Sequence, residues 1–283
     1  MLNKALLPAP KKSLEYNGLV QHLITHQSKY KMKKRFSRIG TLLICLALLS
    51  FLPFQKKKIT VWLVGDSTCS KKEIKAYPET GWGMPFVYFF DSTVQVENRA
   101  MNGRSTKSFI AENRWQNVLD NLQEGDYVFV QFGHNDESKE KAERYTTPEQ
   151  FKANLSRYVN ETRSKKALPL LLTPVARRTF DSAGNIKESH PVYANLVKEV
   201  AKQNNVPLID LNEKSKSLYQ QFGAENSKLL FLQLLPGEHP NYPQGKNDNT
   251  HFNELGARKI AEIVLAEIRK LQLELADRIV VRK

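Results

Sequence analysis

The sequence predicts an α/β fold in which helices cover a five-stranded parallel sheet. From residue 59 onward, short runs of β-branched and aromatic residues alternate with longer amphipathic stretches, a pattern typical of such a sheet. The chain is 283 residues long and 41% hydrophobic, which is enough for one large α/β domain. No repeat, low-complexity linker or break in composition follows residue 58. We therefore predict one domain over residues 59–283.

Short apolar runs rich in β-branched and aromatic residues predict five strands, at residues 60–64, 94–97, 127–132, 168–172 and 207–209. Helical spacing of apolar residues predicts helices at residues 84–90, 114–122, 148–166, 190–204 and 253–273. Pro148 suits the first turn of its helix, and Asn253 can cap the last one. Residues 224–250, rich in Pro, Gly and Asn, are predicted to be irregular, as functional or disordered loops are.

The first 58 residues differ from the rest in charge, with 12 Lys/Arg and one acidic residue. A basic run at residues 31–38 precedes an apolar stretch at residues 39–54, which is the layout of a secretory signal. The apolar stretch is 16 residues long, somewhat short of the roughly 20 of a spanning helix, but it can serve as an uncleaved anchor. We therefore predict a basic extension, residues 1–58, with a signal peptide or anchor, and export to the periplasm or the extracellular space. A partly buried helix is the alternative.

Met32 stands directly before the basic cluster and is a possible true start, the alternative being a genuine cytoplasmic tail before it. Residues 59–283 carry 31 Lys/Arg against 28 Asp/Glu, so this part lacks the basic excess that dominates nucleic-acid binding. The chain has only two cysteines, Cys45 and Cys69, and the first lies inside the predicted signal. Cysteine counting therefore neither supports nor contradicts export.

Four blocks of polar residues lie at the predicted strand ends and near the C-terminus. Ser67 belongs to Gly-Asp-Ser-Thr after the first strand, Gly103 to Asn-Arg-Ala-Met-Asn-Gly-Arg-Ser after the second, and Asn135 to Gly-His-Asn-Asp after the third. The fourth block is Asp-Asn-Thr-His, from Asp248 to His251, just before the last helix. Open α/β folds build their sites at the carboxyl ends of strands. Taken alone, the first block would be an ordinary turn.

Together these residues predict a serine nucleophile with its catalytic partners. Ser67 needs a base, which His251 can supply, and Asp248 can orient that imidazole from three residues away. The backbone N–H groups of Ser67 and Gly103 and the side-chain amide of Asn135 can hold the oxyanion of an acyl-transfer reaction. We find no metal-ligand spacing and predict neither a metal nor a cofactor.

With these four blocks the sequence resembles the SGNH (GDSL-like) hydrolase superfamily, which is named for the Ser, Gly, Asn and His that the blocks contain. The resemblance spans residues 59–273 and implies a flavodoxin-like three-layer α/β/α sandwich with the catalytic roles given above. Further similarity is to the rhamnogalacturonan acetylesterase branch: Gly-Asp-Ser-Thr, the second block, Phe-Gly-His-Asn-Asp at residues 132–136, Gly-Trp-Gly at 81–83 and Thr-Pro-Val-Ala-Arg-Arg at 173–178. It implies a serine esterase that removes acetyl groups from pectin through an acyl-enzyme.

Three further residues are candidates for binding an acetylated polysaccharide. Trp82 either stacks on a sugar or belongs to the core. Arg177 and Arg178 either pair with galacturonate carboxylates or bind local carbonyls and water. For His134 and Asp66 we predict structural roles.

The long segment at residues 225–247 departs from the family pattern and can alter which glycan fits. For Cys69 we predict buried packing. The alternatives are an SGNH lipase, thioesterase or acyltransferase on another acyl ester, or a glycan-binding protein without activity. We predict a monomer.

Overall fold

The computed structural model describes residues 21–22, 25–31, 33–35 and 57–280. The chain divides into two units, Met1–Lys56 and Lys57–Lys283. In the first unit, the described residues are helical and exposed. The predicted signal or anchor at residues 39–54 lies outside the described residues. Over the described ranges, no helix is both long enough and apolar enough to cross a membrane.

The second unit is built on a five-stranded sheet, all of whose neighbouring strands are parallel. Its strands are β1 (Ile59–Gly65), β2 (Val94–Asn98), β3 (Tyr127–Gln131), β4 (Leu168–Leu172) and β5 (Leu208–Ile209). They lie in the order β2-β1-β3-β4-β5. From β1 the chain goes first to β2 on one side and then crosses to β3 on the other side. The gap between β1 and β3, at their carboxyl ends, is therefore the topological switch point. The predicted five-stranded parallel sheet is confirmed.

Seven helices connect or follow these strands among the described residues of this unit: α1 (Gly83–Phe86), α2 (Thr106–Ala111), α3 (Arg114–Asn121), α4 (Pro148–Ser164), α5 (Tyr193–Gln203), α6 (Leu211–Asn226) and α7 (Glu254–Lys270). Thr147 caps α4 in a capping box with Gln150, and Pro148 stands in its first turn as predicted. Asn253 caps α7 through the backbone N–H of Gly256, also as predicted. These capping residues explain where α4 and α7 begin.

One predicted helix was wrong, and two helices of the structure were not predicted. The helix predicted at residues 84–90 is only the short α1 followed by a tighter turn at Val87–Phe89. Helix α2 was missed because six residues are too few to show a helical period. Helix α6 was missed because its buried side includes polar Asn212 and Ser215. Such residues break the apolar pattern that sequence reading relies on.

The hydrophobic core forms two layers, one on each face of the sheet. In β1, Val61 and Leu63 point to one face and Trp62 and Val64 to the other, as the two-residue period of a strand requires. The first face packs against α1, α6 and α7, and the second against α2, α3, α4 and α5. This arrangement is the three-layer α/β/α sandwich implied by the family resemblance, and it confirms that fold.

Part of the segment predicted to be irregular is instead a β-hairpin. β6 (Phe231–Leu234) pairs antiparallel with β7 (Lys246–Phe252), so the prediction of irregular structure over residues 224–250 was wrong for both strands. The sequence of β7 is Lys-Asn-Asp-Asn-Thr-His-Phe, and six of its seven residues are polar. A strand with so few apolar side chains gives no alternating pattern, although its backbone still pairs.

Candidate active site

The turn that carries Ser67 begins where β1 ends, at the switch point of the sheet. Asp66 is fully buried, and its Oδ1 accepts hydrogen bonds from the Thr68 backbone N–H (2.9 Å) and the Thr68 hydroxyl (2.7 Å). The Thr68 hydroxyl in turn accepts a hydrogen bond of 2.8 Å from the Gln131 side chain at the end of β3. Asp66 therefore organises the turn, the structural role predicted for it, and the turn is fixed to the neighbouring strand.

A buried ammonium group lies directly beneath this turn. Lys72 Nζ donates to the Ser67 carbonyl oxygen (2.6 Å) and to Asn102 Oδ1 (2.7 Å), and it lies 2.7 Å from Glu79 Oε1. Its side chain is 2% exposed. Burial lowers the pKa of the ammonium, and the Glu79 carboxylate works against that shift. Sequence reasoning missed Lys72 because a lysine beside another lysine is typical of a solvated surface.

The sequence Gly-Trp-Gly at residues 81–83 packs against the same turn. The Trp82 side chain is fully buried, and its indole N–H donates to Gln131 Oε1 at 2.6 Å. Its backbone N–H donates to the Thr68 carbonyl at 2.9 Å. The ring therefore has no face available for a sugar. The prediction of Trp82 as a substrate-stacking residue was wrong, and its alternative reading as a core residue holds.

The two glycines on either side of Trp82 allow its backbone to approach this closely. A Cβ atom on Gly81 would lie 2.0 Å from the Ser70 carbonyl oxygen. A Cβ atom on Gly83 would lie 2.6 Å from the Cys69 carbonyl oxygen, which its own N–H binds at 3.2 Å. Cys69 itself is buried, as predicted, and burial raises the pKa of its thiol well above the ordinary value.

The structure brings Ser67, His251 and Asp248 into one hydrogen-bonded chain. His251 Nε2 lies 2.9 Å from Ser67 Oγ, and His251 Nδ1 lies 2.8 Å from Asp248 Oδ2. The other carboxylate oxygen of Asp248 accepts the backbone N–H groups of Thr250 (2.8 Å) and His251 (3.0 Å). Burial opposes ionisation of Asp248, but the hydrogen bond and charge of His251 and these two N–H groups hold its pKa well below the usual range.

An irregularity in the hairpin explains how Asp248 and His251 meet the serine. The strand pairing steps from Phe231↔Phe252 to Leu232↔Asp248, so β7 fits three additional residues, 249–251, into one step of β6. The extra length bends the strand and leaves His251 with its ring aimed at Ser67. The Asp-x-x-His spacing seen in the sequence is therefore the spacing of this bulge.

Arg178 supports the bulge from behind. Its Nη1 donates to Asn249 Oδ1 (2.8 Å), its Nε donates to Ser227 Oγ (2.9 Å), and its Nη2 binds the Ala224 carbonyl. The residue is 9% exposed. The prediction of Arg178 as a substrate-binding residue was wrong, because all three nitrogens of its guanidinium are engaged inside the protein. Its alternative reading, binding to local carbonyls, fits this geometry better.

A cavity of about 380 Å³ opens over the serine. Ser67, Gly103, Asn135 and His251 all line it, so the residues of the four sequence blocks meet at one place. Gly103 has a φ of +75°, a backbone conformation that favours glycine. Arg177, the other arginine predicted to bind substrate, also lines this cavity and donates from Nη1 to Thr250 Oγ1 at 2.6 Å.

The amide of Asn135 has a fixed orientation in this cavity. Its Nδ2 donates to the Arg104 carbonyl at 3.0 Å, and its Oδ1 accepts a hydrogen bond of 3.1 Å from Arg144 Nη1. Because the oxygen faces a guanidinium and the nitrogen faces a carbonyl, the two ends of the amide are distinguishable. One N–H of the amide remains for a group in the cavity. Sequence reasoning found Asn135 but missed Arg144, which lies nine residues away in a loop.

The GDSL-like lipase/acylhydrolase family model matches residues 63–259, which include the whole of this site. The chain belongs to this family. A rhamnogalacturonan acetylesterase of Bacillus subtilis, RhgT, is 43% identical over 228 residues, 81% of this chain and 97% of that protein. The probable rhamnogalacturonan acetylesterase YesY of the same organism is 38% identical over 225 residues, 78% of this chain and 97% of YesY.

Among solved structures, the Bacillus subtilis protein YXIM_BACsu aligns with a TM-score of 0.67 at 25% identity. The alignment covers 77% of this chain and 58% of that longer one. The family membership predicted from the four blocks is therefore confirmed, and the fold of this GDSL-like hydrolase has solved counterparts.

His134, the histidine next to Asn135 in this GDSL-like site, is buried beneath the cavity. Its Nδ1 lies 3.3 Å from Asp66 Oδ2, and its ring centre lies 4.3 Å from that of His190. Burial, with the neighbouring His190, lowers the pKa of His134 from 6.5 to about 4. A neutral imidazole held against Asp66 fits the structural role predicted for it. His190, which faces Glu137 at 3.0 Å, was not found in the sequence.

Replacing Lys72 with Met is expected to lower kcat on 4-nitrophenyl acetate about tenfold or more with little change in KM. The reason is that Lys72 holds the Ser67 backbone without reaching the cavity, and hydrogen bonds from a charged group contribute about 1.5–3 kcal/mol each. Steady-state kinetics measure this effect. Lys71→Met, the same change on the exposed neighbour, is the control. Equal kinetics for the two variants would remove Lys72 from the site.

The low pKa of His134 makes stability depend on pH. Between pH 6.5 and 4 the unfolded chain binds a proton on this residue that the folded chain does not, so folding weakens as pH falls through that window. Urea unfolding should show that the free energy of unfolding of the wild type, relative to His134→Asn, falls by about 3 kcal/mol from pH 7 to pH 4. Parallel curves for the two proteins would contradict the assignment.

Proposed function

We propose that this GDSL-like hydrolase is a carbohydrate acetylesterase that removes acetyl groups from rhamnogalacturonan. The observation that carries the proposal is the continuous chain from Asp248 through His251 to Ser67, with distances of 2.8 and 2.9 Å, at the floor of the cavity. The substrate class is supported by RhgT and YesY, which are named for it and align over 97% of their lengths.

The geometry supports a two-step reaction through an acyl-enzyme. Ser67 Oγ attacks the acetyl carbonyl carbon while His251 Nε2 accepts its proton, and the ionised Asp248 stabilises the imidazolium. The carbonyl oxygen becomes an oxyanion facing the Ser67 and Gly103 N–H groups and the Asn135 amide. His251 then gives the proton to the departing sugar oxygen. Water, activated by His251, attacks the acetyl-serine, which releases acetate and restores Ser67.

The residues that line the cavity favour an acetylesterase over a lipase on the same fold. These residues are Ser67, Glu79, Asn102, Gly103, His134, Asn135, Ser138, Lys141, Arg144, Arg177, Thr250 and His251. Within the described part of the chain, no aliphatic or aromatic hydrocarbon side chain lines this cavity. A long acyl chain would find no apolar surface there to bury its methylenes, whereas a small acetyl group on a hydroxyl-rich sugar fits such walls.

The full chain is expected to release acetate from acetylated rhamnogalacturonan fragments, and Ser67→Ala is expected to release it at least about a thousandfold more slowly. Ser67 Oγ is the atom that forms the acyl-enzyme, so its loss removes the covalent pathway and leaves only the assistance of the oxyanion groups and of substrate binding. Acetate release by the two proteins, measured beside long-chain 4-nitrophenyl esters, tests the proposal. Faster turnover of the long-chain esters, or equal release by Ser67→Ala, would reject it.

We also propose that the chain is exported, because the substrate is a cell-wall polymer and residues 31–54 have the layout of a secretory signal. Expression of the full chain in a bacterial host, followed by cell fractionation, is expected to place it outside the cytoplasm. N-terminal sequencing of that fraction distinguishes a cleaved signal from an anchor. Recovery from the cytoplasm alone would count against export.

A further inference from the structure

We propose that the cavity over Ser67 contains a subsite for the carboxylate of a uronic-acid glycan, with Arg144 as its central residue. We further infer that the same guanidinium positions Asn135 for the reaction. The inference rests on the proposed function, since it concerns the substrate of the same site. It gives a role to Arg144, which the sequence analysis did not single out, and it predicts that the cavity prefers anionic sugars.

The charges that line the cavity are predominantly positive. Lys141, Arg144 and Arg177 supply three cations, and Glu79 is the single carboxylate of the lining residues given above. That carboxylate is 2.7 Å from the buried ammonium of Lys72, so its charge is already balanced. Arg144 and Arg177 also face the carboxylates of Glu143 and Glu137, at 3.2 and 3.8 Å. Counting Lys72, Lys141, Arg144 and Arg177 against these two carboxylates and Glu79 leaves one positive charge, which favours an anionic ligand.

Arg144 is placed to bind both the substrate and the catalytic amide. Its Nη1 donates to Asn135 Oδ1, and it lies 3.4 Å from the point where a Cβ atom on Gly103 would stand. Its Nε meets Glu143 at 3.2 Å, but that carboxylate is 68% exposed, so water screens the pair. Over the described residues, Arg144 Nη2 has no hydrogen-bond partner. This nitrogen can therefore donate to a carboxylate of the substrate.

Arg177 places a second guanidinium in the cavity, beside Thr250. Its hydrogen bond to Thr250 fixes it beside the catalytic histidine, and its Nη2 lies 3.8 Å from Glu137, too far for a hydrogen bond. Arg144 stands by the oxyanion residues Gly103 and Asn135. The two cations thus lie beside different parts of the site, one at the oxyanion residues and one at the residue before the catalytic histidine. A polymer in which carboxylates recur along the backbone can meet both of them.

The arginines of the neighbouring groove do not compete for this role. Arg99 and Arg114 line a larger groove that shares only Asn102 with the cavity among its described lining residues. Arg99 is 3.0 Å from Glu97 and Arg114 is 2.6 Å from Glu112. Glu97 and Glu112 are 29% and 36% exposed, less than the 68% of Glu143, so water screens these two ion pairs less than that of Arg144. We therefore place the anion site among the cations over the serine and not at these two arginines.

Binding of trigalacturonate and of neutral galactotriose to the full chain tests the subsite without any hydrolysis, because neither sugar carries an ester. Isothermal titration calorimetry is expected to give wild type a Kd for trigalacturonate about tenfold or more below that for galactotriose, the effect of one charge-assisted fork. In Arg144→Gln the preference is expected to fall below about threefold, and 0.5 M NaCl should weaken it in wild type.

Arg157→Gln is the matched control, since it removes one exposed arginine from an ion pair on α4 and is outside the cavity lining. It is expected to keep the wild-type preference. Thermal unfolding shows whether Arg144→Gln is folded, and Arg144→Lys, which keeps the charge and loses the fork, is expected to show an intermediate preference. Equal binding of both sugars by wild type, or an unchanged preference in folded Arg144→Gln, would overturn the subsite.

The positioning role has its own readout on the uncharged ester 4-nitrophenyl acetate. Arg144→Gln is expected to lower kcat about tenfold, and to change it less than twofold in a protein that already carries Asn135→Ala, because the amide it orients is gone. A full tenfold loss in the Asn135→Ala background would overturn this role. If wild type binds trigalacturonate selectively but hydrolyses no acetyl ester, the proposed function fails while the subsite stands.

Discussion

The buried ammonium of Lys72 is the contact on which the site depends most, because it joins three segments at the serine carbonyl. It binds Ser67 itself, Asn102 in the loop after β2, and Glu79 in the segment before α1. Burying a cation costs its hydration free energy, which neighbouring acceptors must offset, and here three oxygen atoms surround the ammonium. Removing Glu79 would leave the buried ammonium without its counter-charge, and removing Asn102 would leave it one acceptor fewer, so the three segments are held as a unit.

The sheet positions the serine and Asn135, and the hairpin provides the catalytic base, His251. Parallel strands bring the ends of β1 and β3 together at the switch point, so Ser67 and Asn135 meet without any special sequence between them. His251 reaches them from outside the sheet, on the bulged strand β7. Arg178 binds that bulge through Asn249 and ties it to the end of α6. The position of the base is thus set by packing that is remote from the substrate.

The sequence predicted the parts of the site that depend on local order. Ser67 and Asn135 come after strands and His251 stands shortly before the last helix, and such positions can be read along the chain. Lys72 and Arg144 escaped because their roles arise only when distant segments meet. Trp82 was misjudged because an aromatic residue near a catalytic block has the same pattern whether it is buried or exposed, and its burial is decided by Gln131 on another strand.

Arg177 and Arg178 show how far adjacent identical residues can diverge. The Arg177 guanidinium lines the cavity, whereas Arg178 is buried and its guanidinium lies in the protein interior. The interior guanidinium donates to Asn249, Ser227 and Ala224, and the outer one donates to Thr250 and lies 3.8 Å from Glu137. Of these two adjacent arginines, Arg178 stabilises the strand that carries the catalytic histidine, and Arg177 contributes positive charge to the cavity wall. Neighbouring residues of one loop thus affect both the position of the base and the charge that the substrate meets.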